Sequence, residues 1–341
     1  MDKRKGRTLV RKRPGVKARS EITSLDDLHR IFIDYKTSQG LRARTISEHK
    51  IHYRYFKEWL DIQYPNITAQ EVSQQHIQEY VSFMSSGVVK FDNHPYRPQE
   101  EIGLSPMTIN IRLRTLKCFI KYLYEQGYID SNPAASIKHF KTDEDYIGAF
   151  TENQIEKLLK APDRKTYAGF RDYVAMLTLL DCGLRVSELL SLTPEMFDPS
   201  ARMLTLSGKI TKNRKIRQVP LSPETVKVLK QLIQENRHLF YPDVPEKVFV
   251  TAFGDPLGIT ILSRRIKRYA EKAKITGVRV SPHTFRHTFS KFYILNGGDP
   301  YSLQRLLGHS SMDTTRKYVQ MYSEDVKNQH NKYSPLKRIR K

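Results

Sequence analysis

Apolar residues recur at every third or fourth position over most of this chain, which is the spacing of helices that bury one face. In the N-terminal part, each helical pattern follows a residue able to cap a first turn, namely Ser24, Thr45, Thr68 and Ser105. Glu48 stands three residues after Thr45, which is the pattern of a capping box, and a third helix is expected to follow Thr68 and Glu71. We therefore expect a helical domain at the start of the chain.

The C-terminal part predicts further helices together with one short sheet. Helical spacing covers residues 152–160, 168–190, 223–236, 260–274, 283–296, 300–308 and 311–319. Strict alternation of apolar and polar residues replaces it at 203–207 and 216–221, and the turn-rich segment 208–214 lies between these two runs. The expected fold class is therefore mainly α with a small antiparallel β-sheet.

Polar and turn-rich stretches divide the chain into parts. Residues 1–21 are basic and lack an apolar period, which indicates a flexible arm. We expect a helical domain at 22–135, a linker at 136–148, a second domain at 149–322 and a basic tail at 323–341. Within the first domain, Gly and Pro among polar residues predict a loop at 86–104. Two domains suit a length of 341 residues, since single cores seldom grow so large.

The charge balance favours nucleic acid as the partner. Lys and Arg number 58 against 36 Asp and Glu, which gives a net charge of +22. The first and last twenty residues contribute +8 and +4, so +10 remains on the part expected to fold. Tails alone therefore do not explain the basicity, and a binding surface on the domains is implied. A merely soluble basic protein is the alternative that charge by itself leaves open.

Cysteines and apolar runs indicate the compartment. Cys118 and Cys182 are too few for a disulfide framework or a thiolate zinc cluster, which fits a reducing environment. No apolar run approaches the roughly 20 residues needed to span a bilayer, and the basic N-terminus lacks the apolar stretch of a signal peptide. We expect a soluble, cytoplasmic protein with no membrane partner.

The fourth helix is a candidate for contact with DNA. Opposite its apolar stripe we place five polar residues, which are Asn110, Arg112, Arg114, Lys117 and Lys121. Four positive charges on one helix of a basic protein suit a DNA groove. The alternative is an ordinary solvated face.

Four short stretches carry residues suited to catalysis. Arg185 and Glu188 are spaced so that the carboxylate can orient the guanidinium. Gly208-Lys209 is expected on the tight turn of the hairpin, where a lysine can reach a phosphate or a leaving oxygen. Taken singly, Arg185 and Glu188 are explained more simply as a surface ion pair, and Lys209 as a solvated lysine on a turn.

The other two stretches lie nearer the C-terminus. His283 and Arg286 are one helical turn apart and can point at a common target. His283 and His287 also have the spacing of a metal pair, but Thr284 stands where the HExxH pattern requires glutamate, so we expect no metal. Gly308-His309 is followed nine residues later by Tyr318, which spacing alone would not select among 19 tyrosines.

The order of these residues resembles that of the tyrosine recombinases, a family that includes phage integrases, the Xer chromosome-dimer resolvases and recombinases of conjugative transposons. The matching positions are Arg185, Lys209, His283, Arg286, His309 and Tyr318. The flanking words GLRVSELLSL, HTFRHTF and LLGHSSMDTTRKYV fit as well. The resemblance extends over 24–127 and 149–322, and it leaves out the arm, the 86–104 loop and the tail.

The resemblance implies a two-domain C-shaped DNA clamp, with a helical, SAM-like core-binding domain and a tyrosine recombinase catalytic domain. It implies double-stranded DNA with inverted-repeat core sites as the partner, and a homo-oligomer, a tetramer on two DNA sites, that exchanges strands through a Holliday junction. An accessory protein or sister recombinase, and a tail at 323–341 that passes to the neighbouring protomer, are implied in the same way. Integration, excision, transposition and dimer resolution all remain open as roles.

The residue types explain how such an enzyme works without a metal, a cofactor or ATP. Fixed cations can neutralise the charge that builds on a phosphodiester when a tyrosine hydroxyl attacks it. Arg185 and Arg286 present forks that match two phosphate oxygens, and His309 can add a hydrogen bond. Lys209 is the natural general acid for the departing 5′ oxygen, and His283 the candidate to handle the proton of Tyr318. The resulting 3′-phosphotyrosine conserves the energy needed for rejoining.

Three other functions compete with recombination. A type IB topoisomerase-like enzyme would share the chemistry but rejoin the original strand. A catalytically silent, sequence-specific DNA-binding protein would need none of the six reactive positions, all of which are filled here. A metal-dependent nuclease would need an acidic cluster or a thiolate ligand set, and neither pattern is present in the sequence.

Overall fold

The computed structural model describes residues 24–88, 102–142, 148–211 and 213–309, together with residues 311, 312, 315, 327, 330, 331, 334 and 336. The chain divides into two compact units, 1–144 and 145–341, and each has its own hydrophobic core. The arm 1–21, most of the 86–104 loop, the middle of the linker and Tyr318 lie outside the described residues.

The first unit is helical, as the apolar spacing predicts. Its helices are α1 (Leu25–Ser38), α2 (Ala43–Gln63), α3 (Gln74–Ser86) and α4 (Pro106–Glu125). Leu28, Phe32, Leu60, Ile77 and Leu113 are fully buried where the helices meet. The start of α4 is the expected one, since the Ser105 hydroxyl accepts a hydrogen bond from the Thr108 N–H and Pro106 occupies the first turn.

The predicted capping box of this unit is wrong, and so is the expected start of the third helix, which begins at Gln74. Helix α2 begins two residues before Thr45, after an extended Arg42, so that Glu48 lies inside the helix and pairs with Arg44 at 3.1 Å. In the second case the Glu71 carboxylate accepts hydrogen bonds from the backbone and the hydroxyl of Thr68, at 2.8 and 2.7 Å, and closes a separate turn. Such local bonds satisfy the capping groups without starting a helix.

The second unit combines helices with a small sheet. Its helices are α5 (Glu152–Lys160), α6 (Tyr167–Cys182), α7 (Val186–Leu190), α8 (Pro223–Leu239), α9 (Ile259–Lys272), α10 (Pro282–Leu295) and α11 (Pro300–Leu307). The strands β1 (Phe197–Asp198), β2 (Met203–Leu206) and β3 (Arg217–Pro220) form an antiparallel sheet in that order. None of the helices in the described ranges is both long and apolar enough to cross a membrane.

The hairpin of β2 and β3 confirms the two alternating runs, with Leu204 opposite Val219 and both side chains buried. Strand β1 was not expected, because two residues are too few to show alternation. Helix α6 is buried nearly all round and packs against α8 and α10, so it forms the centre of this unit.

The expectation of one helix over 168–190 is wrong, because the chain breaks at Gly183. Gly183 ends α6 in the left-handed conformation, with φ of 58°. A Cβ at this position would lie 2.4 Å from the ring of Phe289, so both the backbone and the packing require glycine. The break matters for function because it places Arg185 at the start of a new short helix.

Candidate active site

Arg185 caps the start of α7 and is held there by Glu188. The fully buried Glu188 carboxylate accepts hydrogen bonds from the Arg185 backbone N–H and from its guanidinium, both at 2.9 Å. The pairing expected from their spacing is therefore present. It arises because Arg185 precedes the first turn of α7 and Glu188 lies in that turn, and not because both residues share one face of a longer helix. About 20% of the Arg185 side chain stays exposed, so it is not sealed inside the protein as Glu188 is.

A second arginine, Arg217, binds the same carboxylate and was missed by the sequence reasoning. From β3 it donates to both oxygens of Glu188, at 3.1 and 2.8 Å, and only 9% of its side chain is exposed. Arg217 lies two residues before the buried Val219, on the same side of the strand. The alternation of β3 could therefore have marked it as an inward-facing cation.

Glu188 remains ionised between these two cations. Burial alone would raise the pKa of its carboxyl group, but the hydrogen bonds and charge of Arg217, followed by those of Arg185, hold that pKa below its usual range. A buried carboxylate shared by two guanidinium groups fixes both of them, because neither can turn away without leaving a charge unpaired.

Arg286 lies across the ends of two helices. Its guanidinium is buried and donates to the carbonyl oxygens of Gly183 and Leu307, each at 2.7 Å. These residues close α6 and α11, where unpaired carbonyls and the helix dipole favour a cation. Arg286 is thus fixed relative to both helix ends.

His309 follows Gly308, which ends α11 in the left-handed conformation. Its Nε2 atom lies 2.9 Å from the Arg286 guanidinium, and its Nδ1 atom lies 3.0 Å from the Thr315 hydroxyl. A guanidinium can only donate, so Nε2 accepts and the ring proton is assigned to Nδ1, which donates to Thr315. Burial, together with the positive charges of Arg286, Arg185 and Arg217, lowers the pKa of His309 to about 4.

The remaining expected residues lie at more open positions. Lys209 is exposed in the turn between β2 and β3, where a Cβ on Gly208 would lie 2.5 Å from a backbone oxygen. His283 is exposed in the first turn of α10, and its ring centre lies 5.9 Å from that of His287. The structure thus brings Arg185, Arg286 and His309 together around Glu188 and Arg217, while Tyr318 lies outside the described residues.

The described residues contain no group of three or more His, Cys, Asp or Glu side chains placed to hold a metal ion. His283 and His287 are stacked with their rings tilted by 25°. Burial, followed by the charges of His283 and Arg286, lowers the pKa of His287 to about 4.

The polar residues of α4 do not share one surface. Asn110 is buried and exchanges hydrogen bonds of 2.9 and 2.8 Å with the backbone of Phe140. Lys117 donates to the carbonyl oxygen of Ile137 at 2.6 Å. These two side chains therefore hold the segment that follows α4 against the helix.

The charged residues of α4 divide in a similar way. Arg112 lies over the ring of Tyr55, with its guanidinium carbon 4.1 Å from the ring centre. Arg112 and Asn110 point to different sides of α4, because residues two apart in a helix do not face the same way. Arg114 and Lys121 are exposed, and Lys121 pairs only loosely with Glu125, at 3.6 Å. Two of the five expected residues thus present open positive charge.

Comparison with known proteins places the chain in a family. Residues 149–325 match the phage integrase family, and residues 27–142 match the phage integrase SAM-like domain. The chain is 30% identical to the tyrosine recombinase XerD of Proteus mirabilis over 299 residues, which cover 87% of this chain and 89% of the relative. It is 33% identical to the tyrosine recombinase XerD of Xanthomonas axonopodis pv. citri over 238 residues, or 68% and 77% of the two chains.

A solved structure has the same fold. The Tn1549 transposon integrase in complex with a circular intermediate DNA matches with a TM-score of 0.69 and 20% identity, over 92% of this chain and all of that one. One matched region lies in each compact unit, and the one in the second unit includes all six candidate catalytic positions. This protein therefore belongs to the phage integrase family, the tyrosine site-specific recombinases.

Proposed function

We propose that this recombinase cleaves DNA by attack of the Tyr318 hydroxyl on a phosphodiester held by Arg185, Arg286 and His309. The observation that carries the proposal is the network in which Glu188 fixes Arg185 while Arg286 contacts His309. Cations fixed in advance stabilise the charge that develops on the phosphate oxygens without having to reorganise during the reaction. The arginine forks also fit two oxygens at once.

His309 changes its role when phosphate arrives. In the present arrangement its Nε2 atom accepts from Arg286, so it has no proton there to give. A phosphate oxygen would accept from Arg286 instead, and its negative charge favours a proton on Nε2. The Thr315 hydroxyl can keep its hydrogen bond when the ring proton moves from Nδ1 to Nε2. It accepts from Nδ1 when that nitrogen is protonated and donates to Nδ1 when it is not.

Lys209 and His283 complete the proton transfers in this mechanism. The exposed turn gives Lys209 the reach of a mobile ammonium donor, which protonates the 5′ oxygen as it leaves. His283 accepts the proton of the Tyr318 hydroxyl, whose unperturbed pKa of about 10 keeps it neutral before attack. The phosphotyrosine bond then conserves the energy of the broken ester, so a 5′ hydroxyl from a second strand can attack it without ATP.

Assembly into a tetramer on two inverted-repeat DNA sites, with a Holliday junction between the strand exchanges, is part of the proposal. A groove of the second unit supports it. Its lining combines apolar side chains with four acidic residues, which are Glu152, Glu156, Asp181 and Glu224. The segment 323–341 is basic and carries a few apolar residues. This tail of a second copy therefore suits the groove, because its basic residues match the acidic ones and its apolar residues match the apolar lining.

The DNA duplex is proposed to lie against exposed positive charge. Arg114 and Lys121 on α4 offer two phosphate contacts, while the proposed contacts of Asn110, Arg112 and Lys117 would require these side chains to leave their present partners. The function proposed is the exchange of strands between two DNA sites, the reaction that integration, transposition and dimer resolution have in common. A cytoplasmic location is part of the proposal, because the protein is proposed to act on DNA.

The test is a single-turnover assay on a nicked suicide substrate that traps the covalent adduct. We expect the wild type to form an SDS-resistant adduct and Tyr318→Phe to form none, while half-site binding is kept. Tyr301→Phe is the matched control, because Tyr301 is 71% exposed at the start of α11. An adduct that persists in Tyr318→Phe would overturn the assignment. Paired sites that yield only relaxed DNA would favour a topoisomerase instead.

A further inference from the structure

Arg217 links the elements that carry the proposed catalytic residues. It stands at the start of β3, opposite Leu206, and therefore at the base of the turn that carries Lys209. Its guanidinium donates to both oxygens of the carboxylate that holds Arg185. One side chain thus connects the hairpin to the start of α7.

Arg217 also lies directly beneath the glycine that precedes His309. A Cβ built on Gly308 would lie 2.6 Å from the Arg217 Nη1 atom and 3.2 Å from its Cδ atom. Gly308 has φ of 63°, so its backbone is in the left-handed region as well. The backbone before His309 therefore rests against the Arg217 side chain, with no room for a larger residue between them.

Stability alone gives a poor account of this arginine. Among the described residues its Nε–H is buried and has no hydrogen-bond partner, and such a group is unfavourable in a protein interior. A buried ion pair is in general no more stabilising than well-packed apolar side chains of similar volume. The arrangement is explained better by what the two donating nitrogens hold in place.

We propose that Arg217 is a positioning residue for strand cleavage, which fixes Arg185 through Glu188 and fixes His309 by packing beneath Gly308. The inference rests on the proposed roles of Arg185 and His309. Arg217 itself touches no reacting atom in this scheme. Its loss should therefore slow the chemical step and leave DNA binding almost unchanged.

The pH dependence of cleavage separates positioning from a general structural role. The groups that face Glu188 are Arg185 from its own helix start and Arg217 from β3. Without Arg217 the depressed pKa of Glu188 rises, so on acidification the carboxylate is protonated at a higher pH and releases Arg185. The charges that face His309 are those of Arg286, Arg185, Arg217 and Glu188, and loss of one cation raises the pKa of His309 too. The change at Glu188 moves the acid limb of the rate profile to higher pH, and the change at His309 does not oppose it, because a protonated imidazole still donates from Nε2.

The experiment compares full-length Arg217→Met and Arg217→Lys with the wild type in the suicide-substrate assay. Gln218→Met is the matched control, because Gln218 is the next residue of β3 and is exposed. We expect Arg217→Met to cleave about 10- to 100-fold more slowly, the usual effect of losing a residue that orients a catalytic group. Half-site affinity should stay within about threefold, since only the chemical step is affected.

Arg217→Lys and a small-molecule rescue complete the test. An ammonium makes a point contact in place of a fork, so the lysine variant should fall between Arg217→Met and the wild type. Added guanidinium ion at millimolar concentration should restore part of the rate of Arg217→Ala, whose short side chain leaves room for it, and Gln218→Met should not respond to it. Tyr318→Phe is run in parallel, so that failure of the proposed nucleophile is seen separately from failure of the Arg217 role.

Three outcomes would overturn the proposal. One is an Arg217→Met variant that cleaves at the wild-type rate. Another is a parallel loss of cleavage, half-site affinity and thermal stability, with an unchanged pH profile and no rescue by guanidinium, which would assign Arg217 a structural role. If Arg217→Met does not fold, the lysine variant decides, and a wild-type rate with a wild-type pH profile in that variant would overturn the proposal.

Discussion

The hydroxyl of Thr315 lies 3.0 Å from Nδ1 of His309, while Arg286 contacts the other ring nitrogen. Thr315 is fully buried and stands three residues before Tyr318. The residue that sets the proton on His309 therefore belongs to the segment that leads to the proposed nucleophile. This contact offers a direct way to test whether the position of the imidazole proton matters for cleavage.

Replacing Thr315 by valine should slow cleavage. Valine keeps the shape of threonine but leaves the Nδ1–H of His309 without its acceptor, so the ring loses its fixed orientation. We expect a rate about 10- to 100-fold below the wild type in single turnover, with half-site binding unchanged. Thr315→Ser keeps the hydroxyl and is the control, and it should retain most of the rate. Equal rates for the valine and serine variants would contradict the prediction.

Lys209→Ala should be rescued by a better leaving group. If the Lys209 ammonium serves only to protonate the departing 5′ oxygen, a substrate with a 5′-bridging sulfur does not need it. We therefore expect the variant to be strongly impaired on ordinary DNA and close to the wild type on the sulfur substrate, measured as single-turnover adduct formation. A Lys209→Ala variant that is impaired equally on both substrates would show that the lysine only binds phosphate.

The first unit should lose stability on mild acidification because of His29. The ring of His29 is buried and stacks on Tyr53 with centroids 3.7 Å apart, and burial, followed by the charge of His49, lowers its pKa to about 4. The neutral form is thus favoured in the folded state, so stability is complete above the unfolded pKa of about 6.5 and falls as the pH drops towards 4. Its share of that loss is at most about 3 kcal/mol.

Chemical denaturation of the full-length protein at pH 7 and pH 4.5 measures this effect. His29→Phe keeps a stacked ring but cannot take up a proton, so the variant should lose about 2 kcal/mol less than the wild type over that interval. Asp26 variants would confuse the result, because the Tyr53 hydroxyl donates to Asp26 at 2.7 Å. An identical pH dependence in His29→Phe and the wild type would show that His29 titrates normally.

The spacing of apolar residues was enough to predict most of the helices, and their alternation with polar residues predicted the β2–β3 hairpin. Both patterns arise because one face of the element is buried. The break at Gly183 was missed because apolar residues at helical spacing continue beyond it, at Val186, Leu189 and Leu190, and so hide the end of α6. Arg217 escaped for a related reason, because its partner Glu188 lies 29 residues away and no local pattern joins them. Arg185 and His309 were proposed as catalytic residues only from their order along the chain.

The residues of α4 should separate into two classes when each is replaced by alanine. Arg114→Ala and Lys121→Ala remove exposed charge, so each should weaken half-site binding and lower the slope of log affinity against log salt by about 1. Asn110→Ala should instead lower the free energy of unfolding by about 1 to 3 kcal/mol, because it removes two hydrogen bonds to the Phe140 backbone, each of which contributes about 0.5 to 1.5 kcal/mol. An unchanged salt slope in both charge variants would remove α4 from the DNA-binding surface.

The groove of the second unit that carries four acidic residues is the proposed docking site for the tail of a neighbouring protomer. Glu156 lines the groove and its side chain is 70% exposed, with only a weak contact of 3.7 Å to Lys160. If a basic tail from a neighbouring protomer docks there, Glu156→Lys should repel it and weaken cooperative binding to paired sites. Binding of one protomer to a half-site should not decrease, because the groove is not assigned any contact with DNA.

Glu246→Lys is the control for this experiment, because it makes the same change of charge at a residue whose side chain is 78% exposed outside the groove. Any general gain in attraction to DNA appears in both variants, so a loss of cooperativity in Glu156→Lys alone isolates the groove. Removal of residues 323–341 should produce the same loss, and it should make the Glu156→Lys change silent, since the two act on one contact. Additive losses in the combined variant would mean that the tail binds elsewhere. A large fall in half-site affinity on removing the tail, with cooperativity unchanged, would assign its basic residues to DNA phosphates.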